Sequence, residues 1–110
     1  MSEDKLQAQF FQYTWNTYPQ LRRCMWAVPN GGYRNIQEAV KLKATGVIPG
    51  VWDIHVFYKG KFYIIETKVG RNTLSKDQIR WRDLMEAQGA VSFVYYSMEE
   101  GKRIIEEILK

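Results

Sequence analysis

Two short stretches of this sequence carry residue types that do chemistry. Asp53 ends the run Gly50-Val51-Trp52-Asp53, and Glu66-Thr67-Lys68 ends a second, apolar run. Residues 51 to 58 and 61 to 68 both read as strands, and Lys59-Gly60 between them suits a tight hairpin turn. With those two as the turn residues, Tyr58 faces Lys61 and, further down the ladder, Asp53 faces Glu66. Alternation then puts Asp53, His55 and Phe57 on one face with Phe62, Ile64, Glu66 and Lys68. Opposed Cβ atoms in such a pair lie roughly 4.5–5.5 Å apart, so two like charges there repel. A shared proton, a neighbouring cation or a bound divalent metal relieves that repulsion. Lys68 can neutralise one carboxylate but not both. Two carboxylates facing one point suit a hard cation with oxygen ligands, Mg²⁺ or Mn²⁺. An ordinary Lys68–Glu66 salt bridge, with Asp53 exposed at a strand start, explains either acid alone better than both together. A bulged turn would shift the register by one residue and separate the pair.

Other segments must hold this hairpin. Residues 3 to 17 have helical periodicity through Leu6, Phe10, Tyr13 and Thr17, and Pro19 closes them. Residues 22 to 28 read as a strand, followed by the turn Pro29-Asn30-Gly31-Gly32. A second helix is expected over 35 to 45, with Ile36, Ala39, Val40 and Lys43 on one stripe and Gly46 as its stop. After the hairpin, 70 to 73 is a loop. Ser75-Lys76-Asp77-Gln78 is a capping box that opens a third helix, with Trp81, Leu84, Met85 and Gln88 on one face and Gly89 as its end. Val91 to Tyr96 is a fourth strand. A second capping box, Ser97-Met98-Glu99-Glu100, opens a last helix carrying Ile104, Ile105, Ile108 and Leu109. The expected order is α-β-α-β-β-α-β-α, a mixed sheet flanked by helices in an α/β (α+β layered) fold.

The composition agrees with such a fold. The 110 residues suffice for one domain, 1–110, and a hydrophobic fraction of 45% supplies a core rather than a disordered chain. A net charge of +4 is a mild basic excess, compatible with a polyanionic partner and equally with a solvated surface. Cys24 is the only cysteine, which excludes an intramolecular disulfide and a cysteine zinc site, and it reads as a buried small side chain. The charged start and the lack of a long apolar run read as a soluble, cytoplasmic protein without a secretory signal or a membrane partner.

At the hairpin residues the sequence resembles the PD-(D/E)xK nuclease superfamily and, within it, the virus-type replication-repair nuclease (VRR-NUC) family. Glu3, Gln7 and Phe10-Phe11 resemble the family's first-helix pattern. Val28-Pro29-Asn30-Gly31-Gly32 resembles its Pro-Asn-Gly turn, and Gly50-Val51-Trp52-Asp53 its Gly-x-Pro-Asp segment, with Trp52 where the family usually has Pro. Glu66-Thr67-Lys68 is the Glu-x-Lys element, and Ser75-Lys76-Asp77-Gln78 resembles the Ser-x-x-Gln that follows.

The resemblance implies a restriction-endonuclease-like fold and metal-dependent hydrolysis of DNA phosphodiesters. It implies Asp53 and Glu66 as ligands of Mg²⁺ or Mn²⁺, the Thr67 carbonyl as a third, and Lys68 as the group that orients or activates water. Glu3 would reach the metal directly or through water, although an acidic residue at a helix start needs no metal. Gln78 would contact phosphate or the metal-bound water, although completing the capping box explains it too. Asn30 and Gly31 are candidate phosphate contacts through backbone amides, or simply turn residues. Lys41, Arg71 and Lys76 are candidate DNA-backbone contacts. His55 reads as a core or supporting histidine. Small members of the family resemble Holliday-junction resolvases. This implies a homodimer acting on DNA, with branched or four-way DNA among its candidate substrates, in replication, recombination or repair. By analogy the setting is a bacterial or phage-infected cell. The competing reading is a nuclease-like fold that binds nucleic acid without cutting it. The intact Asp53, Glu66 and Lys68 argue against that.

Overall fold

The computed structural model describes residues 1–29 and 36–110. The turn residues Asn30 and Gly31 lie outside the described residues, as does the adjoining Gly32. The elements run α1 (Glu3–Thr17), a 3₁₀ turn (Pro19–Leu21), β1 (Met25–Ala27), α2 (Ile36–Ala44), β2 (Ile54–Tyr58), β3 (Lys61–Thr67), α3 (Lys76–Ala87), β4 (Val91–Tyr95) and α4 (Met98–Leu109). The strands form one mixed sheet in the order β1-β2-β3-β4. The expected element order and the mixed, helix-flanked sheet are both present.

The β2–β3 hairpin has the anticipated register, from Tyr58↔Lys61 to Ile54↔Ile65. Lys59 and Gly60 both take positive φ, 50° and 80°, the twist that a two-residue turn needs to match the strands. β1 pairs antiparallel with β2, and β4 pairs parallel with β3 after the crossover through α3.

Alternation along the hairpin divides the interior in two. Ile54, Val56, Tyr63 and Ile65 pack with Leu6 and Phe10 of α1, Tyr95 of β4, and Ile104, Ile105 and Ile108 of α4. On the opposite face Ile64 packs with Trp52 and Trp81, and Phe62, Met85 and Val94 border them. His55 lies on this second face, stacked on Trp81 at 5.4 Å between ring centroids and edge-on to Phe62.

Several local expectations differ from what is seen. The first strand is shorter than 22–28, because residues 22 to 24 continue from the 3₁₀ helix as a hydrogen-bonded turn before Met25. Cys24 is half-buried there rather than fully buried. The second strand begins at Ile54 instead of residue 51. The buried stripe of α1 is Leu6, Phe10 and Thr14, so Tyr13 is only partly covered and Thr17 is exposed. In α3 Leu84 faces solvent and Trp81 supplies the burial. Among the described side chains of α2, Ala39, Val40 and Lys43 of the expected stripe are exposed, and Leu42 is partly covered. A helical pattern marks an apolar stripe, but which stripe is covered depends on what the sheet places opposite it. The Ser75 capping box is complete. At α4 only half of the second one forms: Ser97 caps Glu100, but the Glu100 carboxylate accepts from the Tyr96 amide instead.

Candidate active site

Asp53 sits one residue before β2, where the ladder ends. Its carbonyl accepts from Val28 N–H, and its own N–H donates to Glu66 Oε1 at 3.0 Å. The Asp53 carboxylate in turn accepts from the Thr67 amide. Asp53 and Glu66 therefore stay together past the last ladder step: the Glu66 carboxylate holds the Asp53 amide, and the Asp53 carboxylate holds the amide of the next residue, Thr67. Glu66 is 2% exposed, at the inner end of β3 on the α3 face.

Lys68 Nζ lies 3.7 Å from Glu66 Oε2, with its side chain 11% exposed. Lysine is rarely so covered without a partner of opposite charge. Gln78, in the first turn of α3, completes the capping box and also reaches Glu66. Its Oε1 accepts from Ser75 N–H to close the capping box, and its Nε2 donates to Glu66 Oε2 at 3.0 Å. These side chains open into a cleft of about 300 Å³ lined by Glu3, Gly50, Val51, Asp53, Glu66, Lys68, Ser75, Asp77 and Gln78. Larger depressions exist elsewhere, such as one of about 730 Å³ along α1 beside Phe11 and Trp15. That groove has no cluster of ionisable groups, so volume is a poor guide to chemistry here.

Burial raises the Glu66 pKa to about 8, and the adjacent Asp53 charge adds to the shift. Burial raises Asp53 as well, opposed by its hydrogen bond with Glu66. The pair thus keeps a proton near neutrality, one of the reliefs expected for opposed carboxylates. A proton held this way is what a cation displaces, so the donor set fits a hard divalent metal on Asp53 and Glu66 with room for further oxygen ligands. Among the described residues no three His, Cys, Asp or Glu side chains are placed to hold a metal by themselves. Glu3 lines the cleft but accepts from Asn72 Nδ2 at 3.1 Å.

The remaining candidates divide. Lys76 and Arg71 are exposed on the rim segments, next to the cleft-lining Ser75 and Asp77 and to Asn72. Lys41 is exposed on α2 and lines no part of the cleft. His55 is enclosed by aromatic rings, and burial lowers its pKa. It supports α3 and does not enter the cleft.

Three features were missed from sequence. Thr67 sits on the opposite sheet face, where its hydroxyl joins Tyr95 OH at 2.7 Å and Gln7 Oε1 at 3.4 Å. Trp52 is fully buried and donates its indole N–H to the Gln78 carbonyl at 3.0 Å. Gly50 has φ +86°, and a Cβ there would overlap the Asp77 carbonyl. Gly50 and Trp52 left a sequence signal only as members of the Gly-Val-Trp-Asp segment, which says nothing of what they touch. All three depend on contacts between distant segments.

No protein-family model and no curated protein matches this sequence. Among solved structures the chain is similar to one described as a VRR_NUC domain protein, at a TM-score of 0.79 and 19% identity, over 97% of this chain and 87% of that one. At that identity the likeness establishes a shared fold. No helix of the described residues is long and apolar enough to cross a membrane.

Proposed function

We propose that this protein is a nuclease of the VRR-NUC type that hydrolyses DNA phosphodiester bonds with Mg²⁺ or Mn²⁺ and prefers branched substrates. One observation carries the reading: two hydrogen-bonded carboxylates and a nearly buried lysine share one open cleft. The Glu-x-Lys strand and the VRR_NUC-like fold support it. Asp53, Glu66 and the Thr67 carbonyl would hold the cation. When bound, it supplies a Lewis acid for the scissile phosphate and lowers the pKa of a coordinated water.

The chain's own groups do the rest. Lys68 brings a positive charge to within 3.7 Å of Glu66 and can donate to a water or to a phosphoryl oxygen as negative charge builds there. Gln78 holds Glu66 Oε2 while its carbonyl oxygen stays on Ser75, so the ligating carboxylate has one orientation. Glu3 offers a second acceptor for an ordered water across the cleft. The exposed Lys76 and Arg71 flank the opening and would contact DNA phosphates.

The test is cleavage of linear, flapped and four-way DNA with Mg²⁺ or Mn²⁺. Wild-type protein should cut, and Asp53→Asn and Lys68→Ala should each lose on the order of 10²–10³-fold in rate while remaining folded. Cleavage surviving both substitutions would refute the site. DNA binding without cleavage by wild type would favour a non-cutting recognition module instead.

The same reading includes a homodimer. Apolar side chains as large as Trp26 and Phe57 lie 40% and 54% exposed, more than a small monomer needs to leave open. Light scattering at assay concentration should give twice the chain mass, and a monomer would remove this part of the proposal.

A further inference from the structure

The position where this chain departs from the Gly-x-Pro-Asp pattern joins two parts of the cleft. Trp52 adjoins Asp53, but its side chain points away from the cleft into the cluster of Ile64 and Trp81, where it is fully buried. A buried indole N–H needs an acceptor. Here it is the backbone carbonyl of Gln78, at 3.0 Å. Two residues earlier, Gly50 meets the Asp77 backbone so closely that a Cβ would not fit. Segment 50–52 therefore grips the first turn of α3 at two successive residues. The side chain leaving that turn is Gln78, whose Nε2 reaches Glu66 Oε2. A proline at position 52 could keep the chain direction but has no side-chain donor for this link.

The geometry points to Trp52 as a positioning residue. Through its indole N–H it sets the height of the first turn of α3, so that the Gln78 amide braces the Glu66 carboxylate facing Asp53. This deepens the proposed function and rests on its metal site. Trp52 touches no reacting group; it acts through Gln78.

The test measures Mn²⁺ binding calorimetrically on the whole chain without DNA, so the readout does not depend on turnover. Trp52→Phe keeps the ring in the apolar cluster and removes only the donor. Its Mn²⁺ affinity should fall on the order of tenfold, the usual size for losing a supporting hydrogen bond at a metal site. Gln78→Ala should fall at least as far. The double variant should be no weaker than Gln78→Ala alone, because the two act along one path. A Trp52→Phe protein that binds Mn²⁺ like wild type would overturn the inference. So would a Trp52→Phe penalty that persists in full in the Gln78→Ala background, which marks a general packing effect.

A variant-free measurement covers the case in which Trp52→Phe does not fold. In wild-type protein the Trp52 indole N–H resonance should shift on Mg²⁺ addition with the same half-saturation as binding, and a resonance that stays in place would again overturn it. Wild type that binds no Mn²⁺ at all would remove the metal site itself, and this inference with it. Wild type that binds Mn²⁺ while Trp52→Phe is unchanged removes the inference alone.

Discussion

The two faces of the β2–β3 hairpin share one backbone and are built to different ends. On the α1–α4 face, Ile54, Val56, Tyr63 and Ile65 meet an apolar surface continued by Phe10, Tyr95 and Ile105. The α3 face starts the same way, with Ile64 against Trp52 and Trp81, but its open end carries Glu66 and Lys68. Neither charge is left alone there. Glu66 accepts from the Asp53 amide and from Gln78, and Lys68 lies beside it. One face supplies the burial that keeps the sheet together. The other accepts a charge arrangement that costs stability and is tolerated because the first face is strong.

That division can be broken first where the expected effect is largest. Ile65→Ala opens a cavity on the α1–α4 face and should cost about 2–5 kcal/mol, read as a lower denaturation midpoint. Under conditions that keep the variant folded, its cleavage rate should stay near wild type. Asp53→Asn should show the reverse, with the rate lost and stability kept. An Ile65→Ala protein that is folded yet inactive would mean that the two faces are not separable.

A smaller effect sharpens the comparison. Glu66 is raised to about 8 from an ordinary value of 4.5, chiefly by burial. Its protonated form is the one the fold prefers. The resulting stability is complete below about pH 4.5 and is lost as pH rises through about 8. Metal-free wild type should therefore lose stability relative to Glu66→Gln as pH rises across that window, in paired thermal melts. Divalent metal should restore much of it at the alkaline end. A constant difference between the two proteins over the window would show that the buried acid carries no such cost.

Much of the polar end was legible before any coordinates. Lys59-Gly60 implied the register, and the register put Asp53 beside Glu66. Ser75 and Gln78 announced a capping box, and it forms. These are local signals, in which a turn or a helix start depends on residues a few positions apart. The expectations that failed asked the sequence for something non-local. Val40 and Leu84 sit in helical apolar patterns yet are 62% and 56% exposed, so the pattern alone did not mark which side the fold covers. Glu100 turned to the Tyr96 amide because the chain enters α4 directly from β4. The links from Trp52 to Gln78 and from Thr67 to Tyr95 join segments 26 and 28 residues apart, and no spacing rule predicts them.

The hydrogen bond from Asn72 to Glu3 spans 69 residues of chain, and the Tyr96 hydroxyl donates to the Asn72 carbonyl from the far side. The loop at residue 72 thus ties the cleft-lining Glu3 to the residue that follows β4. A hairpin with a two-residue turn can close early, but this knot can be tied only after the widest loops have closed. Glu3 is therefore held at the cleft only where residues 3, 72 and 96 have come together. In this molecule, an intact cleft is in effect a sign that distant parts of the chain have met.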